Sequence, residues 1–153
     1  MVQLKTIQED NFEAVIELKV RDDQPYVAPN VYSMAQAKIY PECTIRAIYV
    51  GDTPVGFLMF GWSDEDTPYI GPWLIRFMID AKHQQKGYGK EALRLTLNLM
   101  ERVYPNEPMY LSTAPENIHA IKFYEAFGFV STGVMQHDEL VFCKAANNPS
   151  KRK

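Results

Sequence analysis

Apolar and polar positions in the first half of the chain predict a strand, two helices and a hairpin. Residues 10–20 carry an apolar side at helical spacing. Asp10 and Glu13 have the spacing of a capping box, so we expect the helix to begin at Asp10. Two runs rich in β-branched and aromatic residues flank the turn 51–54, which favours an antiparallel hairpin. The predicted elements of this half are strand Val2–Lys5, helix 10–20, helix 32–40, and strands 44–50 and 55–61.

In the second half, apolar strand-like runs alternate with helical periodicity. Leu93, Leu97 and Met100 recur at the spacing of one helix face. Asn117 has a side chain suited to cap a later helix, and Gly128 suits the position just after that helix. The order of elements indicates a mixed sheet with helices on its faces. The predicted elements are strand 73–79, a helix from Gly89 to about 104, strand Met109–Thr113, helix 117–127, and strands 129–136 and Glu139–Lys144.

Composition narrows the class of protein. The chain has 153 residues, of which 46% are hydrophobic and 23% charged, as in an ordinary globular domain. A net charge of −3 argues against a nucleic-acid partner. No apolar run reaches the roughly 18–20 residues of a membrane span, so no membrane partner is expected. The two cysteines, Cys43 and Cys143, are too far apart in sequence to indicate a metal site, and a reduced cytoplasmic setting is expected.

The first chemical signal is a glycine-containing turn between a buried-looking strand and an amphipathic helix. Glycines allow a tight turn, and the first N–H groups of the helix have no partner within the helix. Such a turn binds anions and suits a pyrophosphate, with two lysines adding positive charge. The segment comprises Gln84, Gln85, Lys86, Gly87, Tyr88, Gly89 and Lys90.

Three classes of protein use such a turn, and the neighbouring residues separate them. A nucleotide-triphosphate loop needs a lysine followed by Ser or Thr, whereas Glu91 follows the lysine here. The dinucleotide fingerprint is matched formally by residues 87–92, but seven residues separate it from the strand, and too little chain remains for a doubly wound domain. The third pattern, Gln/Arg-x-x-Gly-x-Gly/Ala, is met by Gln84, Gly87 and Gly89.

A second motif begins 28 residues after Gly89. Residues 117–129 match the pattern Asn-x-x-Ala-x-x-Phe/Leu-Tyr-x-x-x-Gly-Phe at every fixed position. A helix and a strand separate the two motifs, which together span residues 73–129. In both motifs the chain resembles the GNAT superfamily of N-acyltransferases.

The resemblance implies a fold and a reaction. The fold would be α/β, with a mixed, mostly antiparallel central sheet of about six to seven strands flanked by about four helices. Residues 1–145 would form a single acetyltransferase domain, and residues 146–153 a polar, basic tail. The enzyme would use acetyl-CoA as co-substrate, without a metal, and the acceptor amine would attack directly in a ternary complex. Many members are dimers, so a homodimer is a candidate assembly.

The resemblance also assigns residues to the cofactor. Phe77, Met78 and Ile79 fall on the strand whose backbone faces the pantetheine arm, and segment 84–90 would bind the pyrophosphate. Asn117 looks like the asparagine that contacts the cofactor arm, although a helix N-cap explains it equally well. Tyr124 is similar to the tyrosine beside the thioester sulfur, and we hypothesise that it is the general acid.

The acceptor is expected to be a small primary amine. The chain most resembles the bacterial spermine/spermidine acetyltransferase branch, and a polyamine site should carry carboxylates. Arg76 stands where polyamine acetyltransferases often carry a carboxylate, so it either pairs with an acidic neighbour or points to a substrate that has a carboxylate itself. The candidate substrate residues are Glu42, Asp64, Glu65, Asp66 and Arg76.

Two alternatives to a polyamine acetyltransferase stay open. The acceptor amine could instead be an aminoglycoside, an amino acid or a protein N-terminus. In a different class of function, the domain could bind an acyl-CoA without catalysis and work as a sensor module.

Overall fold

The computed structural model describes residues 1–64 and 68–148, and these residues form one seven-stranded sheet with helices on both faces. The strand order is β1-β2-β3-β4-β5-β7-β6, in which β4 and β5 are parallel and the other neighbours antiparallel. The expected mixed, mostly antiparallel sheet with four helices is therefore confirmed. The strands are β1 (Val2–Lys5), β2 (Cys43–Val50), β3 (Thr53–Ser63), β4 (Gly71–Ile79), β5 (Met109–Thr113), β6 (Val130–Gln136) and β7 (Glu139–Lys144), and the helices are α1 (Phe12–Glu17), α2 (Asn30–Ile39), α3 (Tyr88–Val103) and α4 (Ile118–Glu125).

Helix α1 is shorter than the sequence pattern predicts, and the predicted capping box is wrong. The N-cap is Asn11, whose side-chain oxygen accepts a hydrogen bond from the backbone N–H of Gln8 at 2.7 Å. Leu18 is extended, so the helix ends at Glu17. The next residue, Lys19, is bonded to another part of the chain. Its backbone N–H donates to the carboxylate of Asp80, and the backbone carbonyl of Lys19 accepts from the N–H of Ala81. These hydrogen bonds to the two residues that follow β4 thus take the place of the last turn of the predicted helix.

Other boundaries move outward from their predicted positions. Helix α2 begins at Asn30, because the side-chain amide of that residue donates to the carbonyl of Val15 at 2.8 Å and ties α2 to α1. Strands β3 and β4 pair from Ser63 opposite Gly71 to Gly56 opposite Ile79, so both are longer than predicted.

The two faces of the sheet bury separate clusters. On one face, called the α3 face here, helix α3 buries Leu93, Leu97 and Met100 as its spacing predicts, and α4 packs beside it. On the other, called the α1–α2 face, Val15 of α1 packs with Met78 of β4. Within the described residues, no helix is long and apolar enough to cross a membrane.

The parallel strands β4 and β5 meet at one point and then diverge. Their pairing in the described residues is Trp73 opposite Tyr110, whereas β4 continues to Ile79 and β5 to Thr113. The carboxyl ends of the two strands therefore leave an opening in the sheet. Helix α3 follows β4 and α4 follows β5, so both helices begin beside this opening.

Candidate active site

The glycine-containing turn leaves the start of α3 open. Gly87 is the N-cap residue and is left-handed, with a φ of 84°. No described side chain caps the helix there, so its first N–H groups keep their capacity for an outside acceptor. Lys86 and Lys90 are exposed on either side of this end. A 16-residue helix also places a partial positive charge at its N-terminus, and the turn is thus suited to hold a phosphate group.

Gln84 holds this turn against the end of β4. Its side-chain nitrogen donates to the backbone carbonyl of Ile79 and to the side-chain oxygen of Gln24, both at 2.9 Å. The side chain thus points into the protein, whereas Gln85 is exposed with a φ of 63°. Gln84, one of these two predicted cofactor residues, therefore holds the turn in place through hydrogen bonds made inside the protein.

Asp80 has a structural role that the sequence did not reveal. It is 9% exposed, and its carboxylate accepts hydrogen bonds from the backbone N–H groups of Lys19 and Lys82. The second bond caps a short 3₁₀ turn, Ala81–His83, that leads into segment 84–90. The position of Asp80 directly after an apolar strand was the available signal, since Asp is a favoured cap residue.

Helix α4 holds Tyr124 against the core of the α3 face. Asn117 caps the helix, since its side-chain oxygen accepts from the N–H of Ala120 at 3.3 Å, so the N-cap interpretation is confirmed. Tyr124 is partly buried between aromatic rings, with ring centroids 5.3 Å from Phe123 and 6.0 Å from Phe129. Burial raises the pKa of the Tyr124 phenol, because desolvation disfavours the phenolate. The phenol therefore carries its proton at neutral pH and can donate a hydrogen bond.

The end of β4, the glycine turn and α4 converge on the α3 face. The rings of Phe77 and Phe123 have centroids 6.1 Å apart. A Cβ atom placed on Gly89 would lie 3.6 Å from the Phe123 ring and 3.7 Å from the Ile79 side chain. Tyr88, beside this glycine, packs against the same core.

Met78 points the opposite way from Phe77 and Ile79, as strand alternation requires. Its side chain is 4% exposed in the cluster on the α1–α2 face, where its sulfur accepts from the side-chain amide of Asn30 at 3.8 Å. The side chain of Met78 therefore belongs to the core. Only its backbone N–H and C=O groups are candidates to contact a ligand at the opening.

Arg76 lies half-buried on the α1–α2 face. One guanidinium nitrogen donates to the side chain of Gln36 at 3.2 Å and another to the carbonyl of Ile75 at 3.0 Å. The Nε atom is buried and has no hydrogen-bond partner among the described residues. Burial lowers the pKa of Arg76, and interactions with Glu139 first, and then with Tyr32 and Cys43, oppose this shift.

The predicted acidic substrate residues are only partly described. Glu42 is exposed. Burial of the neighbouring Cys43 thiol is the main cause that raises its pKa, and the negative charge of Glu42 raises it further. Asp64 is exposed at the end of β3, and Glu65 and Asp66 lie outside the described residues. In the described part of the chain, no three His, Cys, Asp or Glu side chains are grouped to hold a metal.

Comparison with known sequences identifies a family. Residues 3–129 match the family model described as Acetyltransferase (GNAT) family, which agrees with the resemblance seen in the two motifs. The chain is 35% identical over 140 residues to the spermine/spermidine N(1)-acetyltransferase of Bacillus subtilis, and the alignment covers 86% of this chain and 90% of the relative.

Solved structures share the fold. The PaiA N-acetyltransferase of Thermoplasma acidophilum, in complex with coenzyme A, superposes with a TM-score of 0.70 at 13% identity and covers 95% of this chain and 99% of its own. A Bacillus subtilis acetyltransferase in complex with CoA gives a TM-score of 0.67 at 11% identity, with 94% and 97% covered.

Proposed function

The chain belongs to the acetyltransferase (GNAT) family, and from this premise we propose that its acceptor is a polyamine, spermine or spermidine. It is an acetyl-CoA-dependent N-acetyltransferase, so acetyl-CoA is its co-substrate. The observation that carries the proposal is the 35% identity to the spermine/spermidine N(1)-acetyltransferase of Bacillus subtilis. The opening between β4 and β5 supports it with an uncapped helix N-terminus on one face and polar side chains on the other.

Coenzyme A would bind on the α3 face. The N–H groups after Gly87 would hold the pyrophosphate, with Lys86, Tyr88 and Lys90 beside it. Backbone groups of β4 near Met78 would face the pantetheine arm. The remaining residues proposed for this site are Phe77, Ile79, Gln85, Gly89 and Asn117, together with Gln84, which would act by holding the turn in place.

Tyr124 is the proposed general acid. Acetyl-CoA supplies an acetyl thioester, and the amine nitrogen would bond to the acetyl carbon as the carbon–sulfur bond breaks. The proton released by the attacking nitrogen would pass to water, and Tyr124 would protonate or hydrogen-bond the departing sulfur. A primary amine with a pKa of about 10.4 must lose a proton before it attacks, at a cost of about 4–5 kcal/mol at pH 7. Positioning the amine beside the thioester offsets part of the barrier, since the attack becomes effectively intramolecular.

Arg76 supports a second candidate acceptor. A buried guanidinium N–H without a partner is costly, and a carboxylate on the acceptor would satisfy it. An amino acid or a similar anionic amine is therefore the alternative to a polyamine. Spermine, spermidine and a set of amino acids, each offered separately with acetyl-CoA and analysed by mass spectrometry, test the choice. Acetylated polyamine at micromolar substrate supports the proposal, and products from the amino acids alone contradict it.

Setting and assembly complete the proposal. We propose a cytoplasmic enzyme built from one domain, residues 1–145, with no nucleic-acid or membrane partner. Cys43 is a free thiol, as a reducing compartment favours. A homodimer is supported by the exposed apolar side chains of Val130, Val134 and Met135 on the edge strand β6. Light scattering of the purified protein tests the assembly.

A further inference from the structure

Three polar side chains stand together on the α1–α2 face of the opening between β4 and β5. Tyr110 and Val141 pack in one cluster with Trp73. Successive side chains of a strand alternate between faces, so Ser112, two residues after Tyr110, shares this face, as does Glu139, two residues before Val141. Arg76 reaches the same face through its bond to Gln36 of α2.

Glu139 is held in place at the end of this group. Its carboxylate accepts a hydrogen bond of 2.7 Å from the hydroxyl of Ser112. That bond joins the first residue of β7 to β5, one of the two strands that form the opening. A carboxylate has about four lone-pair positions, of which the serine uses one, so Glu139 keeps acceptor capacity toward a further donor.

The positive charge of Arg76 lies near the negative charge of Glu139. The guanidinium interacts electrostatically with Glu139, although the two side chains do not form a close ion pair. Because the guanidinium makes no close contact with Glu139, it leaves acceptor positions of that carboxylate open to a second cation. Tyr124 and the glycine turn lie on the α3 face, so the two faces of the opening offer different chemistry to two substrates.

We propose that Glu139, oriented by Ser112, is the carboxylate that binds the ammonium group of the acceptor. The acceptor then enters from the α1–α2 face, opposite the proposed coenzyme A site. This inference rests on the proposed function for the reaction, but it applies to any amine the enzyme accepts. Ser112 is a positioning residue, because it acts through the carboxylate of Glu139.

Steady-state thiol release tests the assignment. With spermidine varied at saturating acetyl-CoA, Glu139→Gln is expected to raise the KM for the amine at least about tenfold, the loss expected for a charge-assisted hydrogen bond. The KM for acetyl-CoA should stay within about twofold, because a binding role acts on one substrate only. Ser112→Ala should raise the amine KM by a smaller factor. Glu9→Gln, the same chemical change at an exposed residue near the opposite edge of the sheet, should change neither constant.

Each other outcome has a defined meaning. An unchanged amine KM in folded Glu139→Gln overturns the assignment. If that variant does not fold, an unchanged amine KM in Ser112→Ala overturns it instead. If the wild-type enzyme uses another amine and neither spermine nor spermidine, the polyamine proposal fails, and the same variants are measured with the amine that is used. A wild-type protein that acetylates no amine overturns both proposals.

Discussion

The side-chain amide of Gln84 donates a 2.9 Å hydrogen bond to the backbone carbonyl of Ile79. This bond joins the last residue of β4 to the turn that precedes α3, across the short 3₁₀ turn between them. The strand end and the proposed phosphate site are thereby fixed relative to each other. The position of the helix N-terminus thus depends on a side chain that points away from the proposed ligand.

Gln84→Ala should weaken acetyl-CoA binding without removing a ligand contact. The carbonyl of Ile79 loses its donor, which costs about 1 kcal/mol in the free energy of unfolding, and the turn is held less firmly. We expect a several-fold rise in the KM for acetyl-CoA. Gln24→Ala keeps the bond to Ile79 and serves as the control, so it should change this KM less. Equal effects from the two variants would contradict the account.

Gly87→Ala should separate backbone strain from ligand binding. Gly87 has a φ of 84° and Gly51 a φ of 59°, and an added Cβ atom meets no heavy atom within 4 Å at either position. Either alanine should therefore cost about 1–2 kcal/mol of stability through backbone strain alone. Only Gly87→Ala should also raise the KM for acetyl-CoA, since it alters the start of α3. A similar rise in Gly51→Ala would show that the effect is general destabilisation.

The raised pKa of Tyr124 predicts a change of stability at high pH. The folded protein holds this proton more tightly than the unfolded chain, whose tyrosine titrates near pH 10. The contribution is therefore complete below pH 10 and is lost as the pH rises through the folded-state value. Urea unfolding between pH 8 and pH 11 should show a steeper loss of stability in the wild type than in Tyr124→Phe. Parallel curves would mean that this phenol is not desolvated.

Arg76→Met should reveal the charge of the acceptor. If the acceptor is a polyamine, removing a cation from the α1–α2 face lowers the KM for spermine, and lowers it more than for a monoamine. Arg46→Met is the control, because Arg46 also donates to the carbonyl of the preceding residue but lies on β2, two strands away. A higher KM for an amino acid acceptor in Arg76→Met, with no change in the control, would favour the anionic amine.

Local patterns predict much of this molecule, and the exceptions have physical causes. Leu93, Leu97 and Met100 are buried as their spacing requires, because one helix face repeats regularly. Long-range contacts decide the rest. Helix α1 ends early because Asp80, more than 60 residues away, binds the backbone of Lys19. Glu139 and Ser112 are 27 residues apart, so only the pairing of β5 with β7 reveals their contact.

Thiol release from acetyl-CoA in the presence of spermine tests the central claim most directly. The wild-type enzyme, a no-amine control, Tyr124→Phe and Tyr104→Phe would be compared; Tyr104 packs against the same core at the far end of α3. We predict spermine-dependent release that falls by about a hundredfold in Tyr124→Phe, as expected when a general acid is removed, and stays unchanged in Tyr104→Phe. Spermine-dependent release at an equal rate in Tyr124→Phe would contradict the role of the phenol. Release that does not depend on spermine would contradict the proposed acceptor.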